Sequence, residues 1–191
     1  MRIALWPLLI SLVLALGSCA REPDYDLLVR GGTVYDGSGK PGFRGDVAVQ
    51  GDRIAYVGPN APGKARRQID ASGLAVAPGF INMLSWSNES LLIDGRGQGE
   101  LRQGVTLEVM GEGESMGPLT PQMKTELVAQ QVDLRYPVEW TTLGEYLGLL
   151  EQKGVSMNVA SLVGAATVRR NLLASEDKDP VPGQLAAMQE L

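Results

Sequence analysis

One stretch of the chain has the spacing of a nucleophile. Gly113-Glu114-Ser115-Met116-Gly117 matches Gly-x-Ser-x-Gly and follows a strand-like run, the setting in which a serine hydrolase exposes its hydroxyl. A nucleophile elbow leads directly into a helix, however, and here Pro118 and Leu119 intervene before the Thr120 cap. The 191 residues also contain no histidine, so the chain has no imidazole base, no Ser-His-Asp triad and no imidazole metal ligand of its own. A single cysteine excludes an internal disulfide and a Cys-rich zinc site. Gly95-Arg96-Gly97-Gln98-Gly99 is glycine-rich but lacks the preceding strand and the spacing of a phosphate loop. Arg169-Arg170 could fork a carboxylate, although such pairs more often finish a solvated helix. The chain carries 17 Lys and Arg against 22 Asp and Glu, a net charge of −5. With no basic cluster, that balance argues against a nucleic-acid partner.

The elements that would hold these residues fall into two grammars. From Tyr25 to Ala77, short apolar runs alternate with turn residues. Asp26–Arg30 and Thr33–Tyr35 read as a hairpin closed by Gly31-Gly32, since two glycines tolerate the positive φ of a tight turn. Asp46–Val49 and Arg53–Val57 surround Gly51-Asp52, and Gln68–Asp70 and Leu74–Val76 surround Ala71-Ser72-Gly73. The expectation is a small β-module of about six strands. After Pro78 the pattern alternates strand and helix. Phe80–Leu84 reads as a buried strand, Gly99–Gln103 as a short helix and Val105–Met110 as a strand. Thr120-Pro121 caps a helix running to about Asp133, and Thr142–Lys153 is a second helix stopped by Gly154. Val155–Val163 is a strand, Thr167–Leu173 a helical turn, and Gly183–Leu191 opens another helix. That order implies βα units around a parallel sheet.

The N-terminus reads as a targeting segment. Met1-Arg2 precedes the uncharged apolar stretch Ile3–Leu16, too short for a span of about 20 residues. Leu16-Gly17-Ser18-Cys19-Ala20 resembles a bacterial lipoprotein signal, which implies lipidation of Cys19 and a membrane partner through that anchor. Ala20 after the cysteine resembles outer-membrane sorting, so the expected place is the cell envelope, facing the periplasm. The expected divisions are a signal peptide at 1–18, a tether at 19–24, a β-sandwich module at 25–77 and an α/β part at 78–191.

Several blocks together resemble one family. Tyr25-Asp26-Leu27-Leu28-Val29-Arg30-Gly31-Gly32-Thr33-Val34-Tyr35-Asp36-Gly37 is similar to the opening of the amidohydrolase superfamily, and within it to the N-acyl-D-amino-acid deacylases, or D-aminoacylases. The likeness continues through Gly45–Val49, Gly51–Ala55, Ile69–Leu74, Ala77–Ile81, Arg102–Thr106 and Asn158–Gly164. The resemblance implies a β-sandwich joined to a (β/α)8 barrel, with one or two divalent metals, usually zinc, that activate water against an amide. It also implies a hydrolase of C–N bonds other than peptide bonds, whose small-molecule substrate is an N-acyl amino acid or related amide.

The chain departs from that pattern where the metal would sit. The family's first barrel strand ends in His-x-His, and Leu84 and Trp86 stand in those columns, with Asn82 in place of an aspartate. Neither an alkyl group nor an indole ligates zinc. Trp86 is either a packed aromatic at the barrel mouth or a wall for a hydrophobic acyl group, and with Asn82 and Glu114 it is a candidate for a substrate pocket. The family cysteine column falls on Gly113, next to Glu112, which is the one candidate metal ligand. Ala165 replaces a third histidine. Glu108 is expected either to be buried with a partner or to face outward. At about 30 residues per βα unit, Pro78–Leu191 supplies three to four units of eight. The expectation is thus an incomplete barrel of three or so units, inactive alone, from a protein that binds a divalent metal if it is an enzyme. The alternative is a non-catalytic binding or scaffold lipoprotein derived from the same fold, with no cofactor.

Overall fold

A computed structural model describes residues 22–191. The signal-peptide and Cys19 expectations lie outside the described residues. The described residues divide into two compact units, one ending at Pro78 and the other spanning Gly79–Leu191.

The first unit is built on one long strand, β1 (Tyr25–Val34). On one side it pairs antiparallel with β2 (Phe43–Gln50), which pairs antiparallel with β3 (Arg53–Gly58). On the other side, β4 (Ala65–Asp70) and β5 (Ala75–Val76) run parallel to its first and second halves. The described residues of this unit form one five-stranded mixed sheet. The Gly31-Gly32 hairpin is absent. The strand continues through both glycines with a register irregularity between Val29 and Gly32, and Gly31 has φ +69°. Two glycines permit a bulge as readily as a turn. Strands on both sides bond to residues before and after them, and this decides for the bulge. The buried Asp46 fixes it, its carboxylate accepting from Gly31 N at 2.8 Å and Ala61 N at 2.9 Å. Leu28, Ala48 and Ala61 form the small core beneath.

The second unit carries three parallel strands in the order β6 (Phe80–Asn82), β7 (Val105–Met110), β8 (Asn158–Ser161). Two short helices, α1 (Ser90–Ile93) and α2 (Gln98–Leu101), join β6 to β7, and α3 (Pro121–Gln130) and α4 (Leu143–Lys153) join β7 to β8. Beyond β8 come α5 (Ala165–Leu173) and α6 (Pro182–Glu190). The caps act as their residue types dictate: Thr120 Oγ1 accepts from Met123 N at 3.2 Å. Thr142 and Glu145 form a reciprocal capping box on α4, and Gly154 ends it at φ +81°.

Four expectations shift. Only Phe80–Asn82 is strand, and Phe80, Ile81, Met83 and Leu84 are all more than half exposed rather than buried. The helix from Pro121 stops at Gln130, short of Asp133. The third parallel strand is confined to Asn158–Ser161, and a full helix follows it where a turn is expected. Helix α1 has no amphipathic period long enough to announce it. The core lies between the sheet and the helices, where Leu91, Leu92, Met110, Tyr146 and Leu150 meet. The Trp140 ring lies between Tyr136 (6.2 Å) and Tyr146 (5.4 Å), and its Nε1 donates to the Met116 carbonyl at 2.6 Å. No helix among the described residues is long and apolar enough to cross a membrane.

Candidate functional site

In a parallel sheet, the loops that leave the C-terminal strand ends collect on one side, and sites form there. In the second unit these are the segments after Asn82, Met110 and Ser161. They enclose a cavity of about 360 Å3. Trp86, Asn88 and Glu89 come from the first segment, and Glu114, Ser115 and Met116 from the second. Thr167 and Arg170 come from α5, while Leu119, Met123 and Leu127 supply apolar wall.

The second and third of these segments are tied together by Ser115. Its hydroxyl donates to the Gly117 carbonyl at 2.6 Å and accepts from Gly164 N at 2.9 Å. Its amide donates to Thr167 Oγ1 at 2.8 Å, and the Thr167 hydroxyl donates to the Ser115 carbonyl at 3.2 Å. A hydroxyl so committed and buried is a brace for the loops, not a nucleophile. Gly164 is required by closeness: a Cβ there would meet the Gly113 carbonyl, with Ser115 N at 2.7 Å.

Charge in the cavity is mostly negative. Arg170 donates to Glu126 at 3.0 Å and pairs with Glu114 at 3.5 Å, so the protein's own carboxylates already occupy its fork. A hydrogen bond from Gln122, and then the one from Arg170, hold the Glu126 carboxyl below its ordinary range. Glu89 makes no ion pair among the described residues. It lies beside Tyr136, whose phenol is pushed up by burial and then by the Glu89 charge. Tyr146 is also pushed up, first by burial and then by Tyr136, Glu108 and Glu89. Its hydroxyl donates to the Asn88 carbonyl at 2.7 Å.

The middle strand of the sheet carries a buried carboxyl. Glu108 is 0% exposed, and its Oε2 accepts from Ser85 Oγ at 2.6 Å while Oε1 has no partner. Asn88 Oδ1 and Tyr136 Oη are likewise buried without a partner of good geometry.

The candidate residues separate. Trp86 and Glu114 line the same cavity. Asn82 does not: its amide donates to Glu100 at 3.4 Å and its Oδ1 accepts from Leu84 N at 3.2 Å. Glu112 is exposed and stands outside the cavity wall. Among the described residues, no group of three or more His, Cys, Asp or Glu side chains could hold a metal ion. The donor set agrees, because Leu84 and Trp86 offer no lone pair and Ala165 offers no side-chain donor at the start of α5. The residues present do not fit a metal centre. Glu89 and Met116 join the wall without any sequence signal, as Glu89 sits in the polar run Ser87-Asn88-Glu89-Ser90.

No protein-family model matches the chain. The chain is 34% identical over 171 residues to a D-aminoacylase of Alcaligenes xylosoxydans xylosoxydans, covering 87% of this chain and 34% of that protein. It is 34% identical over 170 residues to an N-acyl-D-aspartate deacylase of the same organism, covering 87% and 33%. A solved D-aminoacylase superposes with a TM-score of 0.73 at 34% identity, over 87% of this chain and 35% of that one. A solved N-acyl-D-glutamate deacylase from Bordetella bronchiseptica, complexed with zinc and a phosphonate inhibitor, superposes at 0.72 with 29% identity, over 87% and 35%. The chain is homologous to the D-aminoacylases over 87% of its length, and its structural neighbours are amidohydrolases. It spans about a third of the length of the curated relatives it matches.

Proposed function

We propose that the chain is a portion of an N-acyl-D-amino-acid deacylase-like amidohydrolase, a hydrolase of C–N bonds other than peptide bonds. In this reading, residues 25–77 form part of the sandwich module and 78–191 the first βα units of a (β/α)8 barrel. The carrying observation is the three-stranded parallel sheet of the second unit, with its cavity at the C-terminal strand ends, in a chain homologous to these enzymes over most of its length. The chain's own contribution is shape. Ser115, Gly164 and Thr167 brace the loops, Trp86 and Glu114 wall the pocket, and metal ligands and a general base come from residues outside this chain. The substrate class is an N-acyl amino acid or related amide. A lipid anchor at Cys19 in a bacterial envelope belongs to the same proposal, supported by the pattern Leu16–Ala20.

The purified 191-residue chain is expected to release no free amino acid from N-acetyl-D-methionine with zinc present, and measurable turnover overturns that expectation. In a polypeptide carrying these residues with the remaining βα units, stoichiometric zinc and amino-acid release are expected. A second reading, a non-catalytic binding protein on the same fold, is favoured by one observation. Leu84, Trp86 and Ala165 stand in the family's histidine columns. Absence of both zinc and turnover in the longer polypeptide would decide for it.

A further inference from the structure

We infer that the cavity behind Trp86 takes the acyl chain of the substrate, and that its apolar wall favours longer aliphatic acyl groups over acetyl. The inference rests on the amide-hydrolysis reading for the class of substrate. It adds which end of the substrate enters and what selects its length.

Charge decides which end enters. In that reading the metal ligands and general base lie outside this chain, so the amide reacts outside this cavity and one end of the substrate reaches into it. An N-acyl amino acid has a charged end, the carboxylate, and a neutral end, the acyl chain. Glu89 and Glu114 bring two carboxylates to the wall. The one cation of the wall, Arg170, is held by Glu126 at 3.0 Å and Glu114 at 3.5 Å. A substrate carboxylate inside the cavity would meet like charges and would have to displace one of those partners. The neutral acyl chain meets neither cost, and the carboxylate stays outside. The apolar wall gives that chain its place. Met116, Leu119 and Met123 are each 6% exposed, and Leu127 and Leu134 complete the apolar lining. Trp86, 70% exposed, adds an aromatic face. Met116 and Met123 bring flexible thioether side chains, which adapt to an aliphatic chain. The volume of about 360 Å3 falls within the range of about 300–1,000 Å3 for small-molecule sites, more than an acetyl methyl fills.

The test measures binding to the 191-residue chain by calorimetry at neutral pH. N-hexanoylglycine and N-hexanoyl-D-methionine are expected to saturate with affinities within about threefold of each other, because the amino-acid end lies outside the wall. N-acetyl-D-methionine is expected to bind about tenfold more weakly or worse, since each methylene buried against apolar surface is worth up to about fourfold. N-hexanoylglycinamide, which lacks the carboxylate, is expected to bind within about threefold of N-hexanoylglycine. Leu127→Trp adds bulk to the wall and is expected to weaken N-hexanoylglycine by about tenfold. Val132→Trp, on an exposed side chain outside the wall, leaves it unchanged. Near-UV circular dichroism checks that Leu127→Trp folds; if it does not, Leu134→Trp carries the same comparison. The inference is overturned if N-hexanoylglycine does not saturate, if N-acetyl-D-methionine binds as tightly, or if the folded wall variant leaves binding unchanged. It is also overturned if removing the carboxylate changes affinity by more than about threefold. Zinc content and amino-acid release in the longer polypeptide are separate readouts. Their absence with the acyl preference intact refutes hydrolysis alone, and the reverse refutes only this inference.

Discussion

Ser85→Ala tests what holds the buried carboxyl of β7. Glu108 is fully buried on the parallel sheet's middle strand, and Ser85 Oγ at 2.6 Å is the only hydrogen-bond partner of its carboxyl among the described residues. Removing that hydroxyl leaves both carboxyl oxygens without a donor. A buried polar group left unsatisfied costs about 1–3 kcal/mol. The variant also loses the weaker bond from Ser87 N at 3.2 Å, so the expected loss is about 2–3 kcal/mol. Urea unfolding of the chain, followed by the fluorescence of the buried Trp140, reads this directly. With a slope of about 1–3 kcal/mol per molar urea, the midpoint falls by about 1 M. The control is the background Glu108→Leu, in which no carboxyl remains to be orphaned. There Ser85→Ala should cost little, and the coupling between the two positions should be about 1–3 kcal/mol. An effect below about 0.5 kcal/mol, which is within ordinary surface variation, refutes the reasoning. So does a cost that is the same in both backgrounds, since Ser85 would then act through something other than Glu108.

Two further outcomes follow from the same site. Gly164→Ala drives a Cβ into the Gly113 carbonyl and Ser115 N, so α5 must shift and the Gly164–Ser115 bond is disturbed. Overpacking against backbone is expected to cost about 1–3 kcal/mol, read as a lower urea midpoint, and an unchanged midpoint would show that the loops yield freely. Glu145 accepts from Thr141 N at 2.6 Å and Thr142 N at 2.9 Å, and these bonds, Thr142 first, hold its carboxyl below the ordinary 4.5. A depressed carboxyl stabilises the fold above that value and loses the contribution as pH falls through the folded-state pKa. Glu145→Gln should therefore flatten the acid limb of the stability profile below about pH 4.5, and an unaltered limb would contradict the cap.

How much of this was legible in the sequence depended on the range of the signal. The caps at Thr120 and Thr142 and the stop at Gly154 act within one helical turn, and the structure has them where the residues place them. The parallel order β6-β7-β8 follows from alternating strand and helix. By contrast, Gly31-Gly32 is locally ambiguous, and the strands that flank β1 on both sides made it a bulge. Trp86 and Glu114 drew notice in the sequence because Trp86 stands in an altered family column and Glu114 beside one. Asn82 was not separable from them by sequence, since its partner Glu100 lies on α2.

The sequence by itself determined the local elements and the absence of histidine, and therefore that no imidazole metal centre can form from this chain. Both depend on residue identity and on neighbours a few positions away. Tertiary structure decided the rest. It turned Ser115 from a nucleophile-like motif into a loop brace, buried Glu108 against Ser85, and brought Glu89, Glu114 and Arg170 into one cavity. Those residues are separated by tens of positions, and only the parallel pairing of three strands brings their loops to the same side of the sheet.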